Sequence, residues 1–483
     1  MILDEKELFN KYQERIYNKL KSFEILNIIG DIGDRNNIEL FAIGGFVRDL
    51  LLDRENYDID ILCLKNSIFI ANKVAEALNA NDFAIYKNFG TAMVKKDNLQ
   101  IEFVIARKES YKFDSRKPDI QQGTFQDDQL RRDFTINTLA ISLNKNTFGH
   151  LINTVHGLQD LKDKIIKTPV NPDITFSDDP LRMLRCIRFA TQLNFDIDDN
   201  TFQGIINKKD RINIISKERI RDELNKIIMS KKPSIGFNLL SKCGLLKIIM
   251  PYIEDLRGKI QIDNFSHKDI YYHTLQVLNN VAEKSDNIWL RWTALFHDIA
   301  KPKCKKFDNI HGFSFHGHEE LGARMIKNIF ADLHLSKDHI KYVEKLIRLH
   351  LRPITIAQDE VSDSGIRRLA FESGEDFKDL MILCRADITS HNPVKIKEYL
   401  NNFDKVEAKI KYIIEKDYKT NLQPVITGEM IMKELNITPG PMIGMIKSKL
   451  KEAILNGEVE NKYEQLHELM MKILKEKYNT QIN

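Results

Sequence analysis

Residues 41–60 read FAIGGFVRDLLLDRENYDID. An apolar run meets Gly44 and Gly45, then Arg48 and Asp49, and Asp58 and Asp60 close the stretch with one residue between them. In a strand, residues i and i+2 project from the same face, roughly 6.5–7 Å apart. Asp58 and Asp60 are therefore expected to share a face while Ile59 and Ile61 turn to the core. Two carboxylates so placed suit a pair of divalent cations. Glycines let the backbone approach a ligand closely, and a helix N-terminus attracts phosphate. Gly44-Gly45 ends one strand and opens a helix carrying Arg48 and Asp49. A triphosphate at that turn and Mg²⁺ at the carboxylates would make a phosphoryl-transfer site. Glu102, in the later strand QIEFVIARKESY, is a third carboxylate for the same shell.

The rest of the chain frames this stretch. At 483 residues it is too long for one ordinary core. With 42% hydrophobic and 29% charged residues it reads as globular rather than disordered. The net charge of +4 neither demands nor excludes nucleic acid. Residues 201–250, however, hold 11 Lys/Arg against 4 Asp/Glu, a local basic surface that suits a polyanion. The five cysteines lie far apart without a C-x-x-C, as reduced cytosolic thiols do. A charged N-terminus argues against a signal peptide, and no apolar run reaches membrane-spanning length. The expectation is a cytoplasmic protein with no membrane partner.

Residues 1–30 read as one amphipathic helix. Residues 38–62 alternate strand, turn, helix and strand, and a helix and short strands follow near 83–95 and 99–107. That pattern predicts an α/β head with a mixed sheet over 1–150. Beyond it, apolar residues recur at three- and four-residue spacing, as in LRMLRCIRFATQL and KYVEKLIRLHL, and prolines punctuate the helices. An all-α neck over 151–250, a body over 251–420 and a helical tail over 421–483 are expected.

GGFVRD with DID, FGTAMV, IEFV-x-AR-x-E-x-Y, RRDFTINTLA and DDPLRMLRCIRFATQL together resemble the bacterial class II tRNA nucleotidyltransferases, the CCA-adding enzymes, and the similar poly(A) polymerases. The resemblance implies that Asp58 and Asp60 bind the metals that activate a primer 3′-hydroxyl and hold the triphosphate. It implies that Arg131, Arg132 and Asp133, with Asn137 on the same helical face, contact the phosphates and ribose of the incoming nucleotide. The family reads bases through an E-D-x-x-R pattern; here Asp178-Asp179-Pro180-Leu181-Arg182 stands in its place, with Asp for Glu at the first position. Asp179 and Arg182 would then meet the Watson–Crick edge of both C and A, although Asp179 before Pro180 also has the makings of a helix N-cap. Arg185 and Arg188 continue a basic stripe, either bracing the site, touching RNA or facing solvent. Asp114, Arg116 and Lys117 would act in a flexible loop tied to the step from C to A. Arg219 and Glu223, at i and i+4, read as a structural salt bridge.

The helical body carries a second constellation. His273, His297-Asp298, His318, His350 and Asp387 recur at helix ends, as a buried divalent site requires. Their order matches that of the HD phosphohydrolases. The resemblance implies one ion on His273, His297, Asp298 and Asp387 and a second on His318 and His350, either a transition metal such as Mn²⁺ or Ni²⁺ or Mg²⁺. Lys301 would meet phosphate or simply face solvent. In the tail, a P-G-P turn before a helix with Lys447, Lys449 and Lys451 suits an RNA backbone, or plain helix packing.

The function implied is template-independent addition of CCA to the 3′ end of tRNA from CTP and ATP, with phosphohydrolase activity in the body on RNA 3′ or cyclic phosphates. The alternatives are a poly(A) polymerase, a CC- or A-adding specialist, or an RNA-binding or nucleotide-sensing protein with an inert head. The oligomeric state is not legible.

Overall fold

The computed structural model describes residues 5–80, 82–86, 90–110, 119–258, 260–262, 265–358, 363–390, 392–417 and 424–480. The chain divides into two compact units, residues 1–250 and 251–483.

The first unit opens with α1 (Glu5–Leu20) and α2 (Glu24–Arg35). The single helix expected over residues 1–30 is thus two. Ser22 turns its Oγ onto the Lys19 carbonyl at 2.7 Å, offering the backbone an alternative to the helical ladder. Phe23 then packs edge-on against Phe46. Next come β1 (Leu40–Ile43), α3 (Gly45–Leu51), β2 (Asp58–Cys63), α4 (Ser67–Leu78), β3 (Asp82–Tyr86), β4 (Thr91–Lys96) and β5 (Leu99–Ile105). A hairpin of β6 (Arg107–Ser110) and β7 (Asp119–Gln122), the helix α5 (Phe125–Leu130) and the short strands β8 (Ala140–Ser142) and β9 (Leu151–Ile152) complete the head.

Seven strands form one mixed sheet in the order β3-β4-β5-β2-β1-β8-β9. β2 and β5 run parallel; their neighbours pair antiparallel. Ile59, Ile61, Ile101 and Phe103 are fully buried, under α4 with Ile70 and Val74. Alternation therefore sends Asp58, Asp60 and Glu102 to the opposite face of the sheet.

Helices follow: α6 (Gly157–Asp163), α7 (Pro172–Asp178), α8 (Leu181–Leu193), α9 (Asp199–Lys208) and α10 (Lys217–Ile228). The apolar stripe of α8, with Met183, Leu184, Ile187 and Ala190, is buried against α10 and its Leu224 and Ile227.

The second unit is helical apart from short two-stranded ladders. Trp292, Phe296 and Phe330 stack and cross at ring distances of 5.5–5.9 Å in its core. The tail helices Gly428–Leu435, Pro441–Asn456 and Tyr463–Thr480 share a separate core of Ile431, Ile446, Leu450, Leu466 and Met470. No helix among the described residues is long and apolar enough to cross a membrane.

Candidate active site

The sheet register brings the head carboxylates together. Asp60 is paired across the ladder with Glu102 on β5 and with Ile43 on β1, the residue before Gly44. Gly44 has φ +75°, a conformation that side chains resist. A Cβ there would lie 3.2 Å from Asp60 Oδ2 and 3.4 Å from Arg132 Nη1. The turn is thus pressed against both a candidate metal-binding carboxylate and a candidate phosphate ligand. Burial pushes the Asp60 carboxyl up to about 6; Arg132 opposes the rise, and Glu102 and Asp58 add to it. Three acids competing for one space need a cation to ionise together. That demand is the fit expected of a divalent metal held by Asp58 and Asp60.

Behind the carboxylates runs a buried polar chain. Arg48 donates through Nε and Nη2 to Asp49 at 2.9 and 2.8 Å, and through Nη1 to Asn137 Oδ1 at 2.8 Å. Asn137 donates to Asp133 Oδ1 at 3.0 Å, and Arg185 donates twice to Asp133 Oδ2, at 2.8 and 2.6 Å. Asn137 does meet Asp133 as expected, but from a 3₁₀ turn, Thr135–Asn137, rather than an α-helix. Arg48 and Asp49 are buried and spend their charges on each other. They brace the glycine turn against α8 instead of presenting free charge.

Arg131 and Arg132 are both held by Asp128, which is fully buried. Arg131 also reaches Glu109 Oε1 at 3.2 Å. Asp128 was not among the expected site residues, although its i, i+3 and i, i+4 spacing to the two arginines was readable.

Asp179 and Arg182 line one cleft of about 240 Å³ with Arg131, Arg132, Asp133, Leu181, Arg185 and Arg219. Asp179 Oδ1 accepts from the Leu181 N–H at 3.1 Å, so the capping bond is made. Arg182 Nη2 donates to the Arg131 carbonyl at 2.8 Å. Arg188 is placed elsewhere: it stacks on Phe189 and donates to Glu223 Oε2 at 2.6 Å. The Arg219–Glu223 bridge read from spacing is replaced by this tertiary pair and by Lys226–Glu223. Arg219 turns to the cleft instead, with Nη1 buried and unpartnered. Asp114, Arg116 and Lys117 lie outside the described residues.

In the second unit the expected histidines and aspartates converge. His273 stands in the first turn of helix Ile270–Ala282, His297 caps Ile288–Phe296, His318 begins His318–Asp332, His350 caps Lys337–Leu349 and Asp387 caps Phe377–Ala386. Two trios can each close on an ion, His273–His297–Asp298 and Asp298–His318–His350, with Asp298 common to both. Asp387 Oδ1 lies 3.0 Å from His273 Nε2 and 3.4 Å from His297 Nε2. The orientation of the rings is fixed from behind. Nδ1 of His297, His318 and His350 donates to the carbonyls of Ala294, Phe315 and Ile347 at 2.8, 2.8 and 2.6 Å. His273 Nδ1 meets Thr389 Oγ1 at 2.8 Å. The Nε2 atoms of His297, His318 and His350, with Asp298 Oδ1, are buried without a hydrogen-bond partner. Buried orphan nitrogens turned inward by bonds at Nδ1 are the arrangement of metal-ligating histidines.

The two carboxylates draw positive charge into the centre, a proton where no metal ion sits. Burial pulls His297 down, but Asp298 and Asp387 outweigh it and hold it up at about 10. Burial, with His297 beside it, pushes His350 down to about 4, keeping Nε2 unprotonated. Lys301 Nζ lies 2.5 Å from Asp298 Oδ2, facing the centre rather than open solvent.

Residues 40–167 match the Poly A polymerase head domain, 194–256 the probable RNA and SrmB-binding site of polymerase A, and 270–392 the HD domain. Domains of the first and third kinds depend on divalent metal. The A-adding tRNA nucleotidyltransferase of Deinococcus radiodurans is 30% identical over 430 residues, covering 86% of this chain and 92% of that protein. The CCA-adding enzyme of Streptococcus uberis is 26% identical, covering 94% and 96%. The solved Thermotoga maritima CCA-adding enzyme, complexed with tRNA, superposes with a TM-score of 0.59 at 22% identity, covering 94% and 96%. The chain belongs to the tRNA nucleotidyltransferase family.

Proposed function

We propose that this chain adds CCA to the 3′ end of tRNA from CTP and ATP, without a nucleic-acid template, in the cytoplasm. The observation that carries the reading is the pairing of Asp60 with Glu102 in register, under the Gly44 turn and Arg132. Mg²⁺ bound there would supply charge neutralisation of the triphosphate and acidify the primer hydroxyl. Asp58 and Asp60 would hold it. The primer 3′-oxygen forms a bond to the α-phosphorus as its proton passes to water, the bond from the α-phosphorus to the bridging oxygen of the β-phosphate breaks, and pyrophosphate leaves. Arg131 and Arg132, fixed by Asp128, present positive charge to the triphosphate. Asp179 accepts from, and Arg182 donates to, the base edge. Arg185 positions Asp133, Arg48 and Asp49 brace the glycine turn, and Arg188 acts through helix packing. The basic segment 201–250 supports tRNA as the partner.

The test is a tRNA ending at its discriminator base, incubated with CTP, ATP or both and resolved at single nucleotides. Addition of C, C and A in order supports the reading. A second reading is A addition alone, favoured by the name of the Deinococcus radiodurans relative; it is chosen if only tRNA already ending in CC is extended. Long ATP-only tracts on generic RNA would make the chain a poly(A) polymerase.

In the second unit, the centre of His273, His297, Asp298, His318, His350 and Asp387 would hold Mn²⁺, Ni²⁺ or Mg²⁺ and hydrolyse phosphate esters at RNA ends. Water oxygen bonds to phosphorus, the ester P–O bond breaks, and a proton passes to the departing oxygen. Phosphate release that persists unchanged in the double variant His297→Ala, Asp298→Ala would remove this activity.

A further inference from the structure

A cleft of about 690 Å³ opens beside the histidine–aspartate centre. Its volume is that of a small-molecule site. Lys301 and His318 belong to both places. His318 is buried and lines the cleft, while its unpartnered Nε2 lies 3.3 Å from Asp298 Oδ1. Lys301 touches Asp298 and sits 5.9 Å from the Phe315 ring.

The walls are of two kinds. Phe313 stands in the middle of the second strand of the hairpin Lys306–Asp308 and Gly312–Ser314, with Phe315 two residues on, and both line the cleft. Phe313 is braced by Phe307 across the hairpin, with ring centroids 5.0 Å apart. Opposite in character, Arg348 near the end of helix Lys337–Leu349 and Arg352 at the start of helix Arg352–Gln358 flank the turn between them. Glu320 engages Arg348 through Nε at 2.7 Å, and Glu372 engages Arg352 through Nη1 at 2.6 Å. A guanidinium has five N–H donors, so each keeps capacity for a phosphate. Glu319 and Glu320 are the carboxylates of the lining, against the cations Lys301, Arg348 and Arg352.

We propose that this cleft binds the 3′-terminal segment of a single-stranded RNA. The last base lies against Phe313 and Phe315, the terminal phosphate points to Lys301 and His318, and the preceding phosphodiester meets Arg348 and Arg352. Aromatic stacking tolerates any base, and two arginines on successive helices of one cleft suit a chain with more than one phosphate rather than a free mononucleotide. The proposal deepens the hydrolase reading of the centre and rests on it for the direction of the RNA.

The test uses the full-length protein and a fluorescein-tagged trinucleotide with a 3′-phosphate. Two readouts are taken: anisotropy on EDTA-treated protein, and phosphate release by the metal-loaded protein, with bound metal measured separately. Phe315→Ala and Arg352→Ala are each expected to weaken binding and raise KM about tenfold, leaving kcat, metal content and tRNA extension unchanged. Arg352 lies at the rim, 42% exposed, so its replacement is not expected to disturb folding. Phosphate release with unaltered KM and affinity in both variants overturns the proposal. So does competition by inorganic phosphate as effective as that by the trinucleotide. If the parent releases no phosphate yet the affinity difference persists, the hydrolase reading fails and the RNA site stands.

Discussion

Asp133 accepts two hydrogen bonds from Arg185, at 2.8 and 2.6 Å, tying the segment after α5 to the helix α8. Burial alone would raise the Asp133 carboxyl. Arg185 and Asn137 outweigh it and hold the carboxyl well below the usual carboxylate range. A depressed folded pKa contributes stability that is present above the unfolded value, about 3.9, and is lost as pH falls through the folded value. Arg185→Ala should therefore lower the stability of the first unit by about 2 kcal/mol at neutral pH. The gap between variant and parent should narrow as pH drops below about 4. Urea midpoints measured across pH would test this; a gap independent of pH would mean that the pair is not the source.

Gly44→Ala should damage the head twice. The φ of +75° with ψ of −136° strains any L side chain, at a cost of roughly 1–3 kcal/mol. The new methyl would also crowd Asp60 Oδ2 and Arg132 Nη1. We expect extension of tRNA to fall more than a hundredfold, well beyond the modest loss of melting temperature. Activity close to that of the parent would show that the turn is not pressed on the reacting groups. Alanine at Asp58 or Asp60 should leave a folded protein and lower the rate about a thousandfold or more, since a carboxylate holding a catalytic metal would be gone. A single-turnover assay reads both variants.

Asp298 is shared by both trios of the histidine–aspartate centre. Metal content should follow that sharing. Asp298→Ala should lose all bound transition metal, whereas His273→Ala and His350→Ala should each weaken one ion and leave the other. Atomic absorption on dialysed protein gives the stoichiometry. Equal metal loss in all three would mean a single ion, and tRNA extension is expected to be unaffected throughout.

How much of this was legible beforehand depends on which interaction decided each residue. Strand alternation is a local rule, so Asp58, Asp60 and the buried Ile59 and Ile61 were readable from YDIDIL. Glu102 needed the parallel pairing of β2 with β5, yet its place in a strand-like run was enough to single it out. The clustering of the histidines and aspartates was readable because helix ends are locally signalled and these residues all sit at or beside such ends. Tertiary partners were not readable. Arg48 and Asp49 carry the charges a phosphate site needs, but a sequence does not reveal that the two neutralise each other in the interior. Glu223 had Arg219 at helical spacing, worth a few tenths of a kcal/mol, and a buried bond to Arg188 from α8 prevailed. The break after Leu20 escaped because an amphipathic pattern continues through a turn when both helices face one core.

That exchange of partners separates two arginines that look alike in sequence. Arg188 is buried, stacked 3.9 Å above Phe189 and bonded to Glu223, so Arg188→Ala leaves a buried carboxylate with Lys226 as its remaining partner. Its effect should be on stability, a loss of about 3 kcal/mol, with KM for CTP and ATP little changed in the folded fraction. Arg219 has a buried Nη1 without a partner and lines the cleft with Asp179 and Arg182. Arg219→Ala relieves that unpaired donor, so stability should hold or rise slightly, while KM for both nucleotides should increase about tenfold. Arg219→Lys should restore little, since an ammonium does not reproduce the planar fork of donors. Thermal melts beside steady-state kinetics with each nucleotide decide the matter. A reversed pattern, with Arg219→Ala unfolding the protein and Arg188→Ala raising KM, would show that the cleft is bounded by the other arginine.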